Sequence, residues 1–146
     1  MEYYKNNKTI CASEVNPFCG NGETILIIDD EVSFVEITKL LLELDGYNIL
    51  TAYDGAEGIS VFNANKEQIN IVVCDLNMPK LGGRTMLQRF LELDPTIKIL
   101  IISGSIEEEY FTEYLVSGKI EFLQKPFLIE KLLETLKKML QQKIKD

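Results

Sequence analysis

From about Glu23 onward, short apolar runs alternate with longer segments that carry apolar residues at helical spacing, and this alternation restricts the fold most. Thr24–Ile28 (TILII) is a continuous apolar run, and Ile69–Cys74 (INIVVC) is rich in β-branched residues; both are typical of strands covered on both faces. Ser33–Leu44, between them, has the periodicity of a helix. Regular alternation of strand and helix predicts an α/β fold with one doubly wound parallel sheet and helices on both faces.

The complete pattern predicts five strands and five helices. The predicted strands are Thr24–Ile28, Tyr47–Ala52, Ile69–Cys74, Ile97–Ile102 and Ile120–Leu123. The predicted helices are Ser33–Leu44, Ala56–Asn65, Arg84–Leu93, Glu107–Val116 and Leu128–Ile144. In the first helix, which Gly46 ends, the apolar stripe consists of Phe34, Ile37, Leu40, Leu41 and Leu44. We expect residues 1–22 to be a flexible N-terminal tail or linker, and residues 23–146 to form one domain.

Polar side chains follow four of the predicted strands. Asp29-Asp30-Glu31 comes after the first strand and Asp75 after the third. Ser103 follows the fourth strand, and the fifth leads into Lys125. Because ligands of such sheets bind outside the C-terminal strand ends, we expect three carboxylates, a hydroxyl and an ammonium to converge at one edge.

This set of side chains suits phosphoryl chemistry. Clustered carboxylates repel one another unless protons or a cation intervene, and Mg²⁺ prefers carboxylates, waters and phosphate as ligands. A carboxylate oxygen can attack a phosphoryl group and form an acyl phosphate. Asp75 is the best candidate nucleophile because it ends the central strand, between the acidic pair and Lys125. A cation and a fixed ammonium would neutralise the phosphoryl oxygens.

Each of these residues also has a simpler structural explanation. Asp29 and Asp30 can cap the helix that follows them, and Asp75 can belong to a turn. Ser103 can cap the next turn, and Lys125 can be a solvated surface charge. Their joint occurrence at the ends of successive strands favours a common site.

Four motifs occur in order along the chain: Ile27-Ile28-Asp29-Asp30-Glu31, Asp75-Leu76-Asn77-Met78-Pro79, Ser103-Gly104 and Phe122-Leu123-Gln124-Lys125-Pro126-Phe127. With them, residues 23–144 resemble the receiver domain of bacterial two-component response regulators. The first and last motifs are also similar to receivers at the C-terminal end of hybrid sensor histidine kinases. The resemblance implies a flavodoxin-like sheet with strand order 2-1-3-4-5.

The resemblance also implies a role for each acidic residue. Asp75 would be the phosphoacceptor. Asp30, Asp75 and the backbone carbonyl of Asn77 would bind Mg²⁺ (or Mn²⁺) directly, and Asp29 would assist through water. In the family, the peptide bond that corresponds to Lys125-Pro126 is cis.

Other residues of the motifs would bind and report the phosphoryl group. Lys125 and Ser103 would contact the phosphoryl oxygens. Ser103 and Phe122 would form the conformational switch, in which the aromatic ring turns inward when the hydroxyl moves. Asn77 and Ser105 would tune the rate of dephosphorylation.

By resemblance, the chain receives its phosphoryl group from a sensor histidine kinase or a histidine phosphotransfer protein. Phosphorylation would switch a partner-binding face on the fourth predicted helix, the fifth strand and the fifth helix, where Glu107–Glu109, Phe111 and Tyr114 lie. The downstream effector is not indicated. We expect a reversible switch that dephosphorylates itself, and not a multiple-turnover enzyme.

Two alternatives have a different chemical outcome. An aspartate-nucleophile phosphatase usually carries a second Asp two positions after the nucleophile, and this chain has Asn77 there. A degenerate receiver would act only as an interaction module. Such members tend to lose the acidic pair, the acceptor or the lysine, whereas this chain retains Asp29, Asp30, Asp75 and Lys125.

Composition excludes several other functions. The 146 residues carry a formal net charge of −8, which argues against a broad nucleic-acid surface. There is no histidine, so histidine catalysis and histidine metal sites are excluded. Cys11, Cys19 and Cys74 fit no zinc spacing, and Cys74 is expected to be a buried small hydrophobe. No apolar run is long enough to span a bilayer, and we expect a soluble, cytoplasmic protein.

Two positions depart from the family's usual residues. Gly82 stands where many members carry Asp. Gly58 stands within a predicted helix where Ala is usual, which is expected to cost the helix about 1 kcal/mol. Neither position belongs to the predicted site.

Overall fold

The structure, a computed structural model, describes residues 20–78, 83–104 and 119–141. In chain order these residues form β1 (Thr24–Ile28), α1 (Val32–Leu44), β2 (Asn48–Ala52), α2 (Gly55–Asn65), β3 (Ile69–Asp75), α3 (Gly83–Leu93), β4 (Lys98–Ser103), β5 (Ile120–Gln124) and α4 (Ile129–Gln141). Where predicted and observed ends are both described, they differ by no more than one residue. The predicted helix Glu107–Val116 lies outside the described residues, as does the tail over residues 1–19. None of the described helices is both long enough and apolar enough to cross a membrane.

The five strands form one parallel sheet in the order β2-β1-β3-β4-β5. This order confirms the predicted topology. The chain moves from β1 outward to β2 and then crosses back over β1 to β3, so the direction of the strand order reverses between β1 and β3. In open α/β sheets, this reversal leaves a crevice at the C-terminal ends of the two strands.

Helices cover both faces of the sheet and divide the core into two layers. On one face, Phe62 of α2 and Phe90 of α3 meet edge to face, with ring centroids 5.0 Å apart. Cys74 lies in the same layer, fully buried as expected. On the other face, α1 and α4 pack Leu42 and Leu136 against the strands. Because the central strands are covered on both sides, they are apolar at nearly every position.

In α1, the predicted apolar stripe is not the face that packs on the sheet. The buried residues of this helix are Val35, Thr38 and Leu42. Ile37 and Leu40 of the predicted stripe are 61% and 62% exposed. Both sets repeat at helical spacing, so periodicity alone does not show which one faces the core. A helix with two such faces buries one and presents the other outward.

Gly58 is on the face of α2 that packs against the sheet, so its role is not limited to its helix propensity. A Cβ atom at this residue would be 2.5 Å from Cδ1 of Ile28 and 3.0 Å from Cγ1 of the same side chain. Ile28 is fully buried and ends β1, directly before the acidic pair. The glycine therefore permits a close approach of α2 to β1, and this contact offsets its poor helix propensity.

We predict that Gly58→Ala lowers the free energy of unfolding by about 1 kcal/mol, because overpacking against Ile28 exceeds the gain in helix propensity. In an Ile28→Val background, which removes Cδ1, the same substitution should be neutral or slightly stabilising. Urea denaturation of the four proteins gives the coupling energy directly. Ser60→Ala, at an exposed position of α2, is the control and should change stability by less than about 0.5 kcal/mol. Stabilisation by Gly58→Ala in the wild-type background would contradict this packing argument.

Candidate functional site

The register of the sheet brings the acidic residues together. Ile28 at the end of β1 pairs with Cys74 of β3, so Asp29 and Asp75 are the next residues along two adjacent strands. Asp29 is fully buried, Asp75 is nearly so, and Asp30 is exposed. The three side chains offer oxygen atoms that all lie within 4.8 Å of one another. The expected convergence of these carboxylates is present in the structure.

Lys125 reaches this cluster from the end of β5. Its backbone N–H donates to the carbonyl oxygen of Ser103, 2.8 Å away, which extends the pairing of β4 with β5 by one residue. The following bond, Lys125-Pro126, is cis, as the resemblance implied. The ammonium lies 2.8 Å from Oδ2 of Asp29 and 3.5 Å from Oδ2 of Asp75. The lysine is therefore not a solvated surface charge.

Burial and charge act against each other in this ion pair. Burial raises the pKa of Asp29 above its ordinary value, although hydrogen bonds from Lys125 and from the backbone N–H of Glu31 oppose the rise. For Lys125, burial acts to lower the pKa, but the hydrogen bond and the charge of Asp29, together with Asp75, raise it above its ordinary value. The ammonium therefore stays charged at neutral pH, and one positive charge faces three carboxyl groups.

Of the simpler explanations, helix capping by Asp29 or Asp30 does not hold, because the N-cap of α1 is Glu31 and no side chain caps it, but two of the acidic residues do stabilise turns. Oδ1 of Asp29 accepts the backbone N–H of Glu31 at 2.9 Å, and Oδ1 of Asp75 accepts that of Asn77 at 2.9 Å. Each carboxylate thus stabilises its own turn with one oxygen. Oδ2 of each faces Lys125. Turn formation and site formation use different oxygens and do not compete.

Asn77 and Ser103 are joined by a side-chain hydrogen bond. Nδ2 of Asn77 donates to Oγ of Ser103 at 2.8 Å, and Ser103 is almost fully buried at the end of β4. Since the backbone N–H of Asn77 also binds Asp75, this residue connects the candidate acceptor to the candidate switch hydroxyl. The sequence motif did not indicate the contact between these two side chains.

Phe122 lies further from the cluster, in β5. It is partly buried and packs against the core layer that α2 and α3 cover. Its register partner in β4 is Ile101, two residues before Ser103. Ser105, the second predicted tuning residue, lies outside the described residues.

The sequence did not lead us to expect an aromatic side chain at the ammonium, beside its two carboxylates. The ring of Phe34 lies under Lys125, with Nζ 4.5 Å from the ring centroid. Phe34 also meets Phe127 edge to face, with centroids 6.1 Å apart. The sequence signal was present, because Phe34 follows the acidic pair by one helical turn. Helical periodicity alone assigns Phe34 to the apolar stripe of α1.

The donor set of the cluster suits a divalent cation. Carboxylate oxygens are hard ligands of the kind that Mg²⁺ prefers, and Mg²⁺ commonly uses one or two carboxylates with water and phosphate. Asp29, Asp30 and Asp75 supply the carboxylates, and the exposure of Asp30 leaves one side open to water.

Comparison with known proteins identifies the family. A model of the response regulator receiver domain matches residues 25–137. Transcriptional regulatory protein ZraR of Salmonella typhimurium is 34% identical over 116 residues, which make up 80% of this chain but only 26% of ZraR. Chemotaxis protein CheY of Treponema pallidum is 32% identical over 80% of this chain and 81% of its own length. A crystal structure of the CheX–CheY–BeF3–Mg²⁺ complex from Borrelia burgdorferi is similar with a TM-score of 0.75 and 30% identity, over 82% of this chain and 90% of that chain.

The fold and the acidic site define a phosphoacceptor domain of two-component signalling. The chain belongs to the response regulator receiver domain family. The chain spans about a quarter of ZraR, so the activity of that whole protein does not transfer to it.

We predict that Asp30→Asn raises stability without Mg²⁺ by on the order of 0.5 kcal/mol, because one like charge leaves the cluster. Mg²⁺ should stabilise the wild type by about 1.4 kcal/mol at ten times its dissociation constant, and it should stabilise Asp30→Asn much less. Urea denaturation with Mg²⁺ or with EDTA measures both effects. Glu92→Gln, at an exposed position of α3, should retain the full Mg²⁺ response. An equal response of Asp30→Asn and the wild type would remove Asp30 from the ligand set.

Proposed function

We propose that Asp75 is the residue that accepts the phosphoryl group, with a histidine kinase or a histidine phosphotransfer protein as the donor. The observation that carries this proposal is the meeting of Asp29, Asp30 and Asp75 with the ammonium of Lys125 at one edge of the sheet. In the sheet, β3, which Asp75 ends, lies between β1, which precedes the acidic pair, and β5, which precedes Lys125. Its Oδ2 is held less tightly than that of Asp29, at 3.5 Å from Lys125 against 2.8 Å.

The transfer forms one bond and breaks another. An oxygen of Asp75 attacks the phosphorus of a phosphohistidine, and the P–N bond breaks with its electron pair leaving on the imidazole. The product is an acyl phosphate on Asp75. Lys125 neutralises charge on the phosphoryl oxygens. Asp30, Asp75 and the Asn77 carbonyl would hold Mg²⁺ or Mn²⁺ directly, with Asp29 assisting through water, and the cation would supply further positive charge at the same oxygens.

The phosphoryl group is then reported and removed by neighbouring residues. Ser103, whose hydroxyl accepts from Asn77, turns its O–H to a phosphoryl oxygen, and Phe122 follows this change. Water later attacks the phosphorus, which releases inorganic phosphate and restores the carboxylate. Asn77 and Ser105 set the access of that water. The chain is therefore a self-resetting switch and not a multiple-turnover enzyme.

We predict that incubation with acetyl phosphate and Mg²⁺ adds one phosphoryl group to the wild type, because Asp75 carries the nucleophilic oxygen. Intact mass spectrometry measures the addition. Asp75→Asn should abolish it, and EDTA should reduce it to background. Lys125→Arg keeps the charge but not the geometry, and it should label at least tenfold more slowly.

Other outcomes would favour other functions. Failure of labelling with both acetyl phosphate and phosphohistidine donors would favour the interaction-module alternative. Sustained release of phosphate from unrelated esters would favour the phosphatase alternative, for which Asn77 replaces the usual second Asp. Labelling that persists in Asp75→Asn would place the acceptor elsewhere.

The exposed face of α1 offers a surface for the phosphodonor. This helix begins two residues after Asp30, and Val32 at its start is itself exposed. Further along the helix, Ile37, Leu40 and Leu44 form an outward apolar strip of their own, about 10 Å long. Contiguous apolar surface of this kind marks interaction sites. A donor that presents a phosphohistidine to Asp75 can bury this strip at the same time.

We predict that the double substitution Ile37→Gln and Leu40→Gln slows phosphotransfer from a histidine kinase that labels the wild type by at least tenfold. The helix should persist, because glutamine has good helix propensity. Labelling by acetyl phosphate should stay within twofold of the wild type, since the small donor needs no docking surface. Ala64→Gln, at an exposed position of α2, is the matched control and should leave both rates unchanged. Equal rates from the kinase in all three proteins would exclude α1 as the docking face.

The link to hybrid kinases and the cytoplasmic location stay predictions, as does the effector face around Phe111 and Tyr114, which lies outside the described residues.

A further inference from the structure

The ammonium of Lys125 has an aromatic neighbour in addition to its two carboxylates. Nζ lies 4.5 Å from the centroid of the Phe34 ring. The Phe34 ring also meets the ring of Phe127 edge to face, at an interplanar angle of 85°. Phe34 belongs to α1 and Phe127 follows Lys125 by two residues, so both ends of the domain contribute to this contact.

The two carboxylates hold the ammonium unequally. The contact with Asp29 at 2.8 Å is a strong charged hydrogen bond, whereas the contact with Asp75 at 3.5 Å is at the limit of one. The lysine side chain is 22% exposed, so water can compete for the remaining N–H group. The four-carbon side chain of lysine is also flexible, so its ammonium can move into solvent without distorting the backbone.

An aromatic face attracts a cation without requiring one fixed hydrogen-bond direction. Phe34 therefore holds the ammonium near the pocket while its hydrogen-bond partners change. This property suits a lysine that has to pass from Asp29 to a phosphoryl oxygen on Asp75. The ring also covers part of the ammonium that would otherwise be hydrated.

We propose that Phe34 is a positioning residue for phosphoryl transfer, because its ring holds the Lys125 ammonium beside Asp29 and Asp75. Phe34 acts through Lys125 and touches no reacting atom. The kinetic consequence rests on the proposed function of Asp75. The contact between the ammonium and the Phe34 ring does not depend on the proposed function of Asp75. The contact and its kinetic consequence are tested separately.

The kinetic test uses Phe34→Leu, which keeps apolar bulk and removes the aromatic face. The maximal rate of labelling by acetyl phosphate should fall about fivefold, while the donor concentration at half-maximal rate stays unchanged. Phe34→Tyr retains the ring and should label within twofold of the wild type. Phe127→Leu removes only the edge contact and should also stay within twofold. An unchanged rate in Phe34→Leu, or an equal fall in Phe127→Leu, would overturn the proposal.

A double-mutant cycle tests whether the effect passes through the lysine. On a Lys125→Ala background, Phe34→Leu should change the labelling rate by less than twofold, because no ammonium is left to position. A further fivefold fall on that background would show that Phe34 acts by general packing, and it would overturn the proposal.

A spectroscopic test needs no phosphorylation. In the wild type and in Phe34→Tyr, the Hε protons of Lys125 should be shifted upfield in NMR spectra by the ring current of the aromatic side chain. In Phe34→Leu they should return to ordinary lysine values. If no donor labels the wild type, the proposed function fails, but these spectra still decide whether the ammonium is seated on Phe34. Ordinary shifts in the wild type would overturn the proposal.

Discussion

The ion pair between Lys125 and Asp29 joins residues 96 positions apart in the chain and depends on every strand between them. Asp29 follows β1 and Lys125 follows β5, with β3 and β4 between the two in the sheet. Parallel pairing in the observed register places all of these strand ends on one edge. A shift of one residue in any pairing would reverse the direction of the side chains and separate the pair. The charged site therefore depends on the same register that the apolar core specifies.

Much of this arrangement follows from local sequence. Runs such as Ile69–Cys74 are apolar at every position but one, which predicts a covered central strand and, with the helices, a parallel sheet. In a parallel sheet the residues after successive strands meet at one edge, so the meeting of Asp29, Asp75 and Lys125 could be predicted without coordinates. The resemblance carried by the four motifs also predicted the strand order and the cis bond before Pro126. These features depend on residue order and spacing, which a sequence contains in full.

What could not be predicted depends on how elements rotate against one another. In α1, the sets containing Val35 and Ile37 both follow helical spacing, and only the packing on the sheet shows that the first is buried. From the sequence, Gly58 is only a residue of low helix propensity, and its close approach to Ile28 is visible only in the structure. The ring of Phe34 under Lys125 and the bond from Asn77 to Ser103 are contacts between side chains of distant elements. Propensity and periodicity contain no information about such contacts.

The charge balance of the site explains why phosphorylation can change the conformation. One ammonium faces three carboxyl groups, and its strongest bond is to buried Asp29, not to Asp75. A phosphoryl group on Asp75 would replace its single carboxylate charge with up to two phosphoryl charges, and would bring strong acceptor oxygens beside the weaker of these contacts. The phosphoryl oxygens would compete with Asp29 for the N–H groups of Lys125, so the bonds of this lysine would be redistributed. Because its backbone N–H is bonded to Ser103, and Ser103 is bonded to Asn77, that change acts on residues already connected to the acceptor. The redistribution of one lysine's bonds would thus act on residues that are joined both to the acceptor and to the end of β4.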